Sequence, residues 1–208
     1  MRFFVLGLLT LLIMSSMAYA HIPEIVTENR NYTAEPVIVN EPEISYAYYG
    51  KLQGSPHQYK IISEEPFNLY VSLLVPYVGQ PETSDVEFHI MKDGEKIVMK
   101  HDFQNWTKWY EEYGGDWYLQ GPEYENGVEP GTYIIEVHSD TNLEDYTLAI
   151  GKEERFGAGE IFQTILVLPA MKALFWGNYS LVAFIIIVIG AVILYFYFRK
   201  GKKKGKRR

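Results

Sequence analysis

Three stretches of the chain place apolar residues at every second position: Phe67, Leu69, Val71, Leu73 and Val75; then Tyr133, Ile135 and Val137; then Tyr146, Leu148 and Ile150. A period of two turns one face of a strand toward a core and the other away from it. SYAYYGKL and QYKIIS are also aromatic and β-branched, with Gly54-Ser55-Pro56 and Glu64-Glu65-Pro66 as breaks. VEFHIMK and EKIVMKH flank Asp93-Gly94, a pair suited to the positive φ values of a tight hairpin turn. Seven or eight strands are expected, and no amphipathic helix before residue 159. That pattern predicts an all-β ectodomain, an antiparallel β-sandwich of jelly-roll type over residues 44–156.

The ends of the chain are patterned differently. Residues 1–20 run from a basic residue through an apolar core to Ala18-Tyr19-Ala20, the layout of a secretory signal peptide whose removal leaves His21 first. Residues 21–43 carry prolines at 23, 36 and 42 and no sustained period, which reads as an extended N-terminal arm. Residues 157–178 are apolar and interrupted by Pro169, and are expected to form two short helical turns. This segment has two readings: an amphipathic, interfacial piece lying on the membrane, with Lys172 and Trp176 at the boundary, or a piece packed under the sandwich.

Residues 179–198 contain eighteen uncharged residues from Leu181 to Phe198, long enough for a helix rising ~1.5 Å per residue to cross most of a bilayer. Aromatic rings at both ends suit the headgroup level. Residues 199–208 follow as RKGKKKGKRR, which places the C-terminus in the cytoplasm under the positive-inside bias. The predicted protein is therefore single-pass in the cell membrane, with its N-terminal domain outside. The tail is topogenic on the minimal reading; attraction to anionic lipid is a second, and a lysine-based retrieval signal at Lys204 and Lys206 a third.

Charge sharpens this division. The whole chain carries −7, but all 26 acidic residues lie between Glu24 and Glu160 and the tail is wholly basic. An acidic ectodomain argues against nucleic acid as a partner, because phosphate contacts need clustered Lys and Arg. With no cysteine, the exported domain relies on its hydrophobic core for stability. Asn31-Tyr-Thr, Asn105-Trp-Thr and Asn178-Tyr-Ser match the glycosylation triplet, the last of them close to the bilayer.

The run DVEFHIMKDGEKIV, followed by EPGTYIIEVHSDTNLEDYTLAIG, resembles the pre-peptidase C-terminal (PPC) type of β-sandwich, in a single-pass protein of prokaryotic envelope type. The resemblance covers Asp85 to Gly151. It implies a non-catalytic module of the kind attached to secreted enzymes, some of which bind polymeric substrate or calcium. The chain departs from that pattern in lacking a protease domain and in carrying a Trp-rich insert at 103–127.

The chemistry points to binding. No GxSxG, HExxH or P-loop is present, so the chain is read as a non-enzyme without an obligatory cofactor. Trp106, Trp109, Tyr113, Trp117 and Tyr118 are candidate contacts for a protein or glycan partner, since aromatic faces stack on sugars and bury area at interfaces. The structural alternative has these rings filling one end of the sandwich. Asp116, Glu123 and Glu125 offer hard oxygen donors for calcium. His21, if first in the mature chain, pairs its amine with its imidazole as a copper chelate, the basis of an alternative reading as a copper-binding redox protein. The remaining histidines, 57, 89, 101 and 138, read as surface or satisfied core residues.

Overall fold

A computed structural model describes residues 21–26, 31–79, 83–100, 106–111, 115–155 and 157–204. The expected signal peptide, Asn105, Tyr113, His101 and the last four residues of the tail lie outside the described residues.

The described residues up to Val167 form one compact unit. It holds eleven strands: β1 (Ile22–Val26), β2 (Val37–Val39), β3 (Tyr46–Lys51), β4 (His57–Ser63), β5 (Phe67–Pro76), β6 (Glu87–Lys92), β7 (Glu95–Lys100), β8 (Thr107–Glu111), β9 (Asp116–Val128), β10 (Gly131–His138) and β11 (Asp145–Ile150). They form two sheets, one in the order β1-β3-β11-β5-β9-β8 and the other β2-β4-β10-β6-β7. This is the expected β-sandwich, antiparallel except at two edges, where β1 runs parallel to β3 and β2 parallel to β4. Residues 21–43 are thus not only an extended arm, because they supply one edge strand to each sheet. Their backbone groups find ladder partners that no local periodicity announces.

The alternating positions meet between the sheets. Leu69, Val71 and Leu73 of β5 and Leu148 and Ile150 of β11 form a core with Tyr59 and Ile61 of β4, Phe88 and Ile90 of β6, and Ile135 and Val137 of β10, all fully buried. Asp93 and Gly94 take positive φ values of 50° and 88°, as a type I′ turn between β6 and β7 requires. That turn is tied to β10, since Asp93 N donates to Thr132 O and Thr132 N donates to Asp93 Oδ1.

The second unit begins at Leu168. Helix α1 (Ala158–Trp176) is continuous and carries Pro169 inside it, instead of the two broken turns expected. Gly177, at φ 60°, ends it in the left-handed conformation of a helix C-terminus. Asn178 Oδ1 then accepts from Ser180 N where α2 (Ser180–Lys204) begins. Ser180–Tyr197 is long and apolar enough to cross a membrane, and none of it is buried within the protein.

Candidate functional site

The segment expected to be a Trp-rich insert is largely a β-hairpin. β8 forms the edge of the six-stranded sheet and β9 the strand beside it. Tyr110 stands opposite Trp117, and Trp109 opposite Tyr118, so the two aromatic pairs occupy opposite faces of the hairpin. Their ring centroids are 5.0 and 6.0 Å apart, cross-strand contacts of the kind that fix a hairpin's register.

Each pair has a root in the fold. Tyr118 is buried and its hydroxyl donates to Tyr49 Oη at 3.3 Å. On the other face, Lys108 Nζ lies 4.1 Å from the Tyr77 ring centroid and 4.7 Å from that of Trp117, a cation held between two aromatic faces. Tyr77 N donates to Trp117 O. Trp106 is half-buried against the core, and its ring covers Gly121 so closely that a Cβ there would lie 2.4 Å from it.

What these roots hold up is exposed. Trp109, Tyr110 and Trp117 keep 40, 42 and 45% of their surface accessible. Of the five expected contact residues, Trp109 and Trp117 therefore face outward, Trp106 and Tyr118 are the supports, and Tyr113 lies outside the described residues. Tyr110, Lys108 and Tyr77 share the face of Trp117, and Trp109 stands on the opposite face beside Tyr118. Alternation along a hairpin would have found the first two; Tyr77 comes from the end of β5 and has no local signal.

The carboxylates proposed for calcium do not converge. Asp116 stands opposite Glu111 at one end of β9 and Glu123 opposite Ser72 further along, and a strand rising ~3.3 Å per residue separates them by about 20 Å. Glu125 is taken up by Lys152 Nζ at 2.6 Å and by Asn68 Nδ2 at 3.2 Å. These bonds hold its carboxyl below the usual range. His21 Nδ1 lies 2.5 Å from Ser45 Oγ. Among the described residues, His21 belongs to no group of three or more His, Asp or Glu side chains able to hold an ion. Asn31 is exposed, and its side chain accepts from Thr33 N and Ala34 N in a turn.

A different group does converge. Glu87 and His89 of β6 and His138 of β10 bring their ligating atoms together on the outward face of the five-stranded sheet. His138 Nε2 lies 3.3 Å from Glu87 Oε1 and 3.4 Å from His89 Nε2, and His89 Nε2 lies 3.8 Å from Glu87 Oε1. Burial, then the neighbouring His138 and Lys96, push the His89 imidazole below its usual pKa, against the opposing pull of Glu87 and Glu136.

No family model matches the chain, and no curated protein matches it. Among solved structures, the pre-peptidase C-terminal domain of a collagenase from Bacillus anthracis aligns at 13% identity and a TM-score of 0.38, covering 59% of this chain and 98% of that one. A β-glucosidase from Paenibacillus barengoltzii aligns at 10% identity and a TM-score of 0.30, covering 62% of this chain and 13% of that one. The CBM35 from Cellvibrio japonicus Abf62 aligns at 10% identity and a TM-score of 0.25, covering 51% of this chain and 74% of that one. The first of the three carries the name of the type that residues 85–98 and 129–151 resemble, and at these identities and TM-scores no role passes from any of them to this chain.

Proposed function

We propose that this protein is a membrane-anchored, non-catalytic binding module that presents the β8–β9 hairpin outside the cell to a protein or glycan partner. The observation that carries this reading is the exposure of Trp109, Tyr110 and Trp117 on strands whose neighbouring rings are rooted in the fold. An aromatic ring left in water on a rigid strand loses little conformational freedom when a partner covers it, which lowers the ordering cost of binding. The edge position of β8 adds backbone groups to which a partner strand can pair.

The anchor in this reading is the apolar part of α2, Ser180–Tyr197, with the basic residues 199–208 that follow that part on the cytoplasmic side beside anionic lipid. A photo-crosslinking residue at position 117, introduced into the full chain in its native membrane, is expected to yield a defined adduct. The same residue at Ile62, which is 60% exposed on the other sheet, is expected to yield none. Protease sensitivity of the adduct identifies a protein partner and glycosidase sensitivity a glycan. Equal labelling from both positions would remove the hairpin from the account.

A further inference from the structure

β6 and β10 are adjacent and antiparallel, with His89 opposite Glu136 and Glu87 opposite His138. Side chains two apart on a strand share a face, so this register puts two imidazoles and two carboxylates in one block on the outward surface of the five-stranded sheet. Isolated outward-facing polar residues point into water. These are drawn together instead, and the side chains of His89, Glu87 and His138 are only 8, 16 and 20% exposed.

The spacing within the trio is that of metal ligands. With donors ~2.1 Å from a tetrahedral ion, neighbouring donors stand about 3.4 Å from one another. Glu87 Oε1, His138 Nε2 and His89 Nε2 form a triangle with sides of 3.3, 3.4 and 3.8 Å. We propose that Glu87, His89 and His138 bind a divalent first-row transition ion, of which zinc is the type, leaving its fourth position open. Two imidazole nitrogens and one carboxylate oxygen suit such an ion better than calcium, which takes oxygen donors.

The surroundings fit a cation. Glu136 adds negative charge beside His89, and its carboxylate is oriented by Gln58 Nε2, which donates to it at 2.7 Å. Lys96 Nζ, 3.0 Å from His89 Nδ1, places an ammonium on an exposed, flexible stem at the same spot. With the ion on Nε2, the neutral ring carries its proton on Nδ1 and the lysine turns out to solvent. Lys96 is thus a resident cation that the metal displaces.

Zinc titration of the chelator-washed full chain in detergent, followed by calorimetry and metal analysis, is expected to show one equivalent bound. Cobalt in its place is expected to give the intense visible bands of a tetrahedral centre. His89→Gln with His138→Gln should weaken zinc binding by more than the ~10–100-fold that loss of an outer-sphere partner costs. The thermal midpoint of that variant in metal-free buffer checks that it folds. Lys96→Met should bind zinc as well as the wild type or more tightly. Substoichiometric zinc, unchanged binding in the folded double variant, or lost binding in Lys96→Met would each overturn the assignment.

Discussion

The hydroxyl oxygens of Tyr59 and Tyr146 lie 2.6 Å apart, one reaching from β4 and the other from β11, so a hydrogen bond joins the two sheets through the middle of the core. Tyr146 Oη also lies 2.7 Å from Nδ1 of the buried His57. A buried polar group is tolerated when it is bonded and costly when it is not. Tyr146→Phe is therefore expected to destabilise the full chain by about 1–3 kcal/mol. Tyr59→Phe should cost less, because His57 keeps its bond to Tyr146. Denaturant unfolding of the two variants gives the order, and a larger loss for Tyr59→Phe would contradict this role for Tyr146.

The same ring sets a second prediction. Tyr146 stands opposite Gly50 in the β3–β11 pair, and a Cβ on Gly50 would lie 2.3 Å from the ring. Because both sheets pin Tyr146, the ring cannot move aside cheaply. Gly50→Ala should cost about 1–3 kcal/mol, the range of overpacked cores, although Gly50 is in a strand where alanine is otherwise the better residue. A neutral effect on the unfolding midpoint would mean that the ring is free to shift.

Alkaline pH tests the tyrosine-rich interior as a whole. Burial pushes the hydroxyls of Tyr48, Tyr49, Tyr59, Tyr118 and Tyr146 well above the usual ~10. With the folded pKa raised, the unfolded chain loses these protons first as pH rises. The stability they contribute is intact below about pH 10 and falls above it, by up to ~1.4 kcal/mol per pH unit for each group. The phenolate absorbance of these five tyrosines is expected to appear only as the chain unfolds. Their ionisation at the usual ~10 with the fold intact would contradict these burials.

How much of this the sequence discloses differs from element to element. β5, β10 and β11 are legible because their inward faces alternate strictly, and Asp93-Gly94 announces its own turn. β1 and β2 are short and pair in parallel with partners twenty or more residues away, so nothing local marks them. β9 reads as a loop because of Gly121, Pro122 and Gly127. Gly121 and Pro122 sit at the irregularity opposite Leu73, where a missing ladder donor costs little. At the aromatic site, the tryptophans are visible in sequence but their division into supports and exposed faces follows only from register. Glu87, His89 and His138 look dispersed until β6 and β10 are laid side by side.

The anchor is testable separately from the partner. A chain ending at residue 178, without α2, is expected to leave the carbonate-resistant membrane fraction, whereas the full chain stays in it. Retention of the shortened chain after carbonate would place the anchor elsewhere.

The central claim, that the β8–β9 hairpin is a contact surface and not part of the core, rests on Trp109 and Trp117 being exposed while Tyr118 is buried. The most direct measurement pairs partner capture from native membranes with the unfolding midpoint of the Trp109→Ala, Trp117→Ala double variant. The expected result is loss of most capture, on the order of tenfold or more for two central aromatic contacts, with the midpoint nearly unchanged. Undiminished capture, or a fall in stability as large as Tyr118→Ala produces, would contradict it.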